Sequence, residues 1–319
     1  MAEAMTPPGR LGGIADQTWL LMMLPGLFWA GNAVLGRALA GEVPPVALAF
    51  WRWAVAAAPV LPFAWGHLRR DLRPLLRAWP VVLALSALGV ASFNTCLYVA
   101  AQTTSALNIV LLQSAMPVLV VAATFLLFRE TPSARQALGV TVSLAGALVL
   151  VARGDPSALA RLAFNTGDLW MLAAIVSYAI YTALLRLRPA VHGLSFAAAT
   201  FAAGAAMLLP LYAAETLGGR PLPVTATSVL AIGYVAVFAS VLAYLSFNRI
   251  VALVGPNTAG LAVHLVPVFG TVLAVLLLGE VPRRHHAVGM ALIAAGIWFA
   301  ARKGGSAPRV SGGPAGRTG

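Results

Sequence analysis

Leu126-Leu127-Phe128-Arg129-Glu130-Thr131-Pro132 runs on to Gly139 and Gly146, and 150 residues later Leu276-Leu277-Leu278-Gly279-Glu280-Val281-Pro282 runs on to Gly289 and Gly296. The same offset pairs Pro117 with Pro267. Leucine and alanine recur by chance in any apolar chain, but a matched set of proline, glutamate and glycine does not, so the chain carries an internal repeat. Around these motifs lie apolar runs of the length that takes a helix across a bilayer, roughly 20 residues. Read against charged and Pro/Gly breaks, they give spans near 19–39, 45–65, 79–100, 105–128, 134–152, 168–187, 195–214, 226–248, 256–278 and 285–301. The runs are about twice as long as transmembrane strands and do not alternate in polarity. The expectation is an all-α integral membrane protein of ten transmembrane helices. Five spans in each half is an odd number, so the second copy enters the membrane from the opposite side. That makes two inverted five-helix repeats, 19–152 and 167–301, an arrangement able to take up two symmetry-related conformations.

Composition agrees. Hydrophobic residues make up 60% and charged residues 9% of the 319, and the mean hydropathy is +0.88, whereas a water-soluble domain carries about 25% charge. The net charge of +12 would point to nucleic acid in a soluble protein. Here the arginines sit in short connections and a tail, where they set topology, so the expected surroundings are a lipid bilayer and no nucleic acid. The lone Cys96 lies in an apolar run and excludes an internal disulfide or a cysteine metal site. Ala38-Leu39-Ala40 resembles a signal cleavage site, but the preceding apolar stretch is too long, Arg37 precedes the site, and the repeat needs this helix. Segments between spans are too short to fold, the longest being 66–78 and the linker 153–166. Residues 1–18 form an N-terminal tail, and 302–319, rich in Gly, Pro and Arg, a disordered one. With the N-terminus inside, 14 Lys and Arg residues fall on the cytoplasmic side and 6 opposite, with Arg52 inside a span. Both termini are therefore expected in the cytoplasm.

These residues resemble the EamA-type family of the drug/metabolite transporter superfamily. The resemblance rests on the two motif copies quoted above, on Ser240-Val241-Leu242-Ala243-Tyr244 with Asn248-Arg249, and on Trp51-Arg52, and it covers roughly residues 19–301. It implies ten helices, an inverted repeat and mostly export of amino acids, related metabolites or drugs across the bacterial inner membrane. The implied partner is a small-molecule substrate; a homodimer is left open. A non-transporting solute sensor or scaffold is the alternative. A membrane-embedded enzyme lacks paired carboxylates or a nucleophile with its base. No cofactor is expected, since the single lysine, Lys303, lies in the tail and cannot form a nucleotide-binding loop. Adjacent histidines point about 100° apart on a helix, so Arg283-Arg284-His285-His286 reads as an interfacial anchor and no metal site is expected.

Candidate substrate contacts follow from polar residues inside spans. Asn94 with Tyr98 and Tyr244 with Asn248 are an amide and a phenol one turn apart, in swapped order at the 150-residue offset. Trp29 and Asn32 align with Tyr178 and Tyr181 at 149. Such a set would line a neutral, aromatic, hydrogen-bonding cavity, while each residue alone would serve as glue between helices. Arg52 either snorkels to the outer surface, binds a substrate carboxylate or pairs with carbonyls. Pro117 and Pro267 are expected as mid-span kinks or hinges that release the carbonyls of Gln113 and Val263. His264 shares a helix face with Asn257 and is either packed or the internal group that binds substrate or carries a proton, because no acidic residue lies deep in a span. Glu130 and Glu280 are expected to cap the helix that follows each.

Overall fold

Lipid offers the backbone no hydrogen-bond partner, so apolar segments of this length must satisfy their own amides as helices. The computed structural model describes residues 18–104, 106–152, 165–278 and 283–301, with Asp155 and Ser157 between. All regular structure among them is helical. The helical stretches are labelled in chain order: α1 Thr18–Ala38, α2 Pro45–Arg77, α3 Trp79–Thr103, α4 106–128, α5 Ala134–Val151, α6 Thr166–Leu184, α7 Gly193–Leu217, α8 Ala226–Val254, α9 256–278 and α10 Arg284–Ala301. Among the described residues, α2 to α8 supply seven helices long and apolar enough to cross a membrane, and Leu20–Gly36 adds a shorter apolar one. Phe63, Leu126, Leu217 and Leu230 are exposed on the outside of the bundle, where lipid rather than water would meet them. The expected tails and most of the 153–166 linker lie outside the described residues.

Local chemistry fixes the ends. Ser133 with Gln136, Asn165 with Asp168 and Thr225 with Ser228 form reciprocal capping boxes at the starts of α5, α6 and α8. Glu130 therefore does not cap α5 as expected; Ser133 already holds the orphan amides, and Glu130 turns to Arg186 instead. Segment 66–78 is not a loop either. α2 runs 33 residues to Arg77, because its charged last turns keep full helical hydrogen bonding at the water interface and dock on the start of α7, where Asp71 accepts from the His192 amide at 3.0 Å.

The two prolines sit differently from a mid-helix kink. α4 is broken at Ala115, and Pro117 lies in the first turn of the restarted helix Met116–Phe128, a position that has no amide to lose. α9 is interrupted by a 3-10 turn at Gly260–His264 before Leu265–Leu278, with Pro267 in its first turn. The carbonyl that gains a side-chain partner is that of Ser114, bonded by His264 at 2.8 Å. The same 3-10 turn breaks the register that would have aligned Asn257 with His264, and Asn257 instead accepts from Thr124 at 2.8 Å.

Packing pairs recur. α5 lies against α10 and α2 against α7; α3–α6 contacts are matched by α8–α1, and α4–α6 by α9–α1. When the helix number is shifted by five, the first two pairings map onto themselves and the others onto each other. The α5–α10 contact depends on glycine: a Cβ on Gly139 would stand 2.6 Å from the Gly296 carbonyl oxygen, and one on Gly146 2.7 Å from that of Gly289. Gly289 and Gly296 meet Gly146 and Gly139 reciprocally at 2.9 and 2.6 Å. Small residues are what allow membrane helices to approach this closely. Gly146→Val should therefore destabilise the bundle by about 1–3 kcal/mol or more, read as a lowered melting temperature and reduced yield of monodisperse protein in detergent; unchanged melting would mean the two helices do not pack here.

Candidate functional site

The centre of the bundle is built on two π turns, Ser86–Ser92 in α3 and Val237–Leu242 in α8, at positions 150 residues apart. A π turn widens the helix and loosens its carbonyl ladder, which is why such turns gather at functional sites. Gly89 and Ala239 are equivalent under that offset, and the carbonyl of each accepts from side chains of other helices. Tyr244 Oη donates to Gly89. Trp29 Nε1 at 3.2 Å and Arg52 Nη2 at 2.7 Å donate to Ala239. Gly89 has no room for a side chain, because a Cβ there would stand 2.3 Å from the ring of Tyr181.

Arg52 does not snorkel. It is 1% exposed and points inward from α2. Its Nε donates to Ser240 Oγ at 2.6 Å, and Nη1 to Asn32 Oδ1 at 2.9 Å and Tyr98 Oη at 2.8 Å, while its guanidinium lies 5.0 Å from the centre of the Trp53 ring. Every one of these partners is neutral. Among the described residues no carboxylate lies within ion-pair distance of it.

The aligned polar pairs form matching bonds with reversed chemistry. In one half Tyr98 on α3 donates to Asn32 on α1 at 2.7 Å. In the other, Tyr181 on α6 donates to Asn248 on α8 at 2.8 Å. Phenol and amide have exchanged helices, which is what the swapped sequence order records. Residues equivalent to each other also meet directly: Asn94 Nδ2 reaches Tyr244 Oη at 3.5 Å, and Trp29 packs edge-on to Tyr178 with centroids 5.6 Å apart.

Trp29, Asn32, Arg52, Asn94, Tyr98, Tyr178, Tyr181, Tyr244 and Asn248 are thus brought together and buried. Between Trp29, Asn32, Phe93, Gln113, Met116 and Tyr178 remains a cleft of only about 10 Å³, room for about one water. The expected substrate-sized cavity is not open in this conformation, because aromatic rings of both halves fill it. Gln113 Oε1, Tyr178 Oη and Asn94 Oδ1 are buried without a partner, an arrangement that favours a polar ligand or water among them. His264 is set apart. Its Nε2 faces the Ser114 carbonyl at 2.8 Å and so donates, and its Nδ1 meets Ser143 Oγ, so both ring nitrogens are engaged within the fold. Pro117 and Pro267 flank the breaks beside it. Sequence reading missed Trp53, Phe93, Ser240 and Phe247, which complete the cluster; Trp53 and Ser240 could have been suspected from the quoted motifs they adjoin or belong to.

The two ends of the bundle differ. At one, Asp168 is buried and accepts from Thr104 and from Asn108 at 3.0 and 3.1 Å, Gln102 accepts from the Gly41 amide at 3.1 Å, and Glu215 accepts from the first amides of α2, Ala47 at 2.7 Å. At the other, Arg186 pairs with Glu130 at 2.8 Å beside a cavity of about 600 Å³. One end is laced shut and the other holds a vestibule.

An all-helical membrane chain with a charged, aromatic centre and unlike ends has the build of a small-solute transporter. Comparison with known proteins makes this specific: the chain belongs to the EamA-like transporter family, whose profile matches it over residues 17–152 and again over 165–302. An uncharacterized transporter of Archaeoglobus fulgidus is 27% identical over 290 residues, 90% of this chain and 98% of that protein. A probable terminal-alkyne amino-acid exporter of Streptantibioticus cattleyicolor is 29% identical over 238 residues, 72% and 76% of the two chains. A solved crystal structure with 21% identity superposes with a TM-score of 0.70 over 89% of this chain and 96% of that one, and so shares the fold.

The π-turn geometry is open to a controlled test. Gly89→Ala should lower the melting temperature, by about 1–3 kcal/mol of overpacking, whereas Gly233→Ala, with nothing within 4 Å of the new methyl, should be neutral or slightly stabilising. Equal effects of the two would remove the close approach of Tyr181 to Gly89.

Proposed function

We propose that the protein is a secondary transporter, not an enzyme, that exports small amphipathic carboxylates of the amino-acid type across the bacterial inner membrane. It does so by alternating access between two inverted five-helix repeats, ten transmembrane helices in all, with both termini cytoplasmic. The observation that carries this is Arg52, a fully buried cation held, among the described residues, by neutral groups only. Removing an ion from water costs several kcal/mol even after relaxation. A charge kept in a membrane bundle without a counter-ion is accounted for when its partner arrives as substrate. The aromatic rings around it would receive the apolar part of such a solute, and Gln113, Asn94 and Tyr178 its remaining polar atoms.

Three observations support the inverted repeat. The family profile matches twice; the helix pairings map onto each other by a shift of five; and the glycine contacts of α5 with α10 are reciprocal, as a twofold axis requires. The arginine bias supports a cytoplasmic position for the vestibule, and on that reading the laced end faces outward and the vestibule inward, the starting point for export. The relative described as a probable amino-acid exporter supports the same substrate class. His264, with both nitrogens satisfied inside the fold, is read as structural.

Flux tests the proposal directly. In proteoliposome counterflow, amino acids should be transported and their carboxamides should not. Arg52→Gln should lower flux by tenfold or more, since a hydrogen bond to a charged group is worth about 1.5–3 kcal/mol, with Arg52→Lys intermediate. Equal flux of acid and amide, or full activity of Arg52→Gln, would refute the assignment. Topology is checked separately: reporter fusions at Gly218 and Arg309 should report opposite sides of the membrane, and a shared side would end the ten-helix, termini-in reading.

A further inference from the structure

The 600 Å³ vestibule is of a size that binds drug-sized ligands, and its wall carries opposite charges that the central cluster does not use. One wall is the α4–α5 connection with Glu130, another the turn that follows α6 with Leu185, Arg186 and Arg188, and the floor is the last turn of α8 with Val251 and Ala252. Arg186 is accounted for: it is paired with Glu130 and lies 4.5 Å from the centre of the Phe128 ring. Arg188 is not. Among the described residues its one hydrogen bond is a long 3.4 Å contact from Nη1 to the Asn248 carbonyl, and no carboxylate is within ion-pair distance. Burial first, and the like charge of Arg249, pull its pKa below the ordinary arginine value. It is a partly desolvated cation with most of its five donors uncommitted, facing a cavity that also offers aliphatic surface.

The residue Arg188 does touch is informative. Asn248 accepts from Tyr181 through its side chain while its carbonyl meets Arg188. The Tyr181–Asn248 bond is thus the edge of the central cluster nearest Arg188 and the vestibule.

We infer that the vestibule is a second binding site for amphipathic carboxylates, distinct from the central one, in which Arg188 contacts the carboxylate and the Tyr181–Asn248 pair forms the partition toward Arg52. The inference rests on the transport reading for its role as an approach site, but the binding itself is separable from flux. An anion drawn to Arg188 competes for the donor that now holds the Asn248 carbonyl, so occupancy of the first site loosens the partition to the second.

The test uses the full chain in phosphatidylcholine nanodiscs, where no anionic lipid competes, with dansylglycine as the probe and dansylglycinamide as its uncharged counterpart. Wild-type protein should enhance dansylglycine fluorescence saturably and leave the amide largely unbound. Arg188→Gln should weaken binding about tenfold, and Arg188→Lys should recover most of it, which separates loss of charge from loss of fold. Arg52→Gln should keep a saturable, amide-rejecting dansylglycine site that disappears when Arg188→Gln is added to it, even where the single variant no longer transports. Undiminished binding by Arg188→Gln, or equal binding of the amide, overturns the site. Loss of binding in Arg52→Gln alone would also overturn it, placing the probe at the centre and leaving the transport reading intact. Failure of transport with Arg188-dependent binding retained would instead count against the transport reading only.

Discussion

Arg52 ties the first half of the chain to the second through its bonds to Ser240 and to the carbonyl of Ala239, both on the π turn of α8. Much of the centre is arranged to make those bonds available. A regular helix would engage the Ala239 carbonyl in its own ladder. The π turn exposes it, and Trp29 and Arg52 occupy it; the equivalent turn in α3 exposes Gly89, and Tyr244 occupies that. In lipid each exposed carbonyl needs such a partner, so the two turns recruit side chains from the opposite half and knit the repeats together at mid-bundle. The same device leaves the contact reversible, because a side chain can leave a carbonyl for a ligand or water whereas a ladder amide cannot without unwinding.

The two halves are alike in geometry and unlike in chemistry. Tyr98 with Asn32 and Tyr181 with Asn248 are one bond drawn twice with donor and acceptor exchanged between helices. Arg52 stands on one side of that arrangement only. Equivalent glycines on α5 and α10 meet reciprocally, giving a close-packed seam, while the centre carries the asymmetry that a chemically directional solute would need. The ends follow the same division: hydrogen bonds to Asp168, Gln102 and Glu215 close one, and the Glu130–Arg186 pair stands beside an open vestibule at the other.

Much of this was legible in the sequence because bilayer helices are read from length and apolarity, and the repeat from Pro, Glu and Gly at a fixed offset. The amide and phenol pairs were legible for the same reason. What was not legible depended on direction or on backbone deviation. Whether Arg52 snorkels or points inward turns on which face of α2 meets α8, and nothing in Phe50-Trp51-Arg52-Trp53 settles it. The charges of 66–78 read as a loop, yet Arg69, Asp71 and Arg73 sit comfortably on a helix once it leaves the apolar layer. The π turns have no signature beyond Gly89, and the 3-10 turn before Leu265 rotates His264 out of the register that simple helical counting assumed. The vestibule arises where the ends of four helices converge, so its residues looked like topology charges until the fold placed them together.

The central claim is that binding of a carboxylate at Arg52 exchanges the open vestibule for a closed one. Spin labels at Thr131 and Ala190, on the two connections beside the vestibule, in a Cys96→Ser background, would report its width by electron–electron distance measurement. The account predicts that the amino acid selected by counterflow shortens this distance in the wild-type background, that its carboxamide does not, and that Arg52→Gln abolishes the response. A distance indifferent to the amino acid, or one that shortens equally in the Arg52→Gln protein, would contradict it.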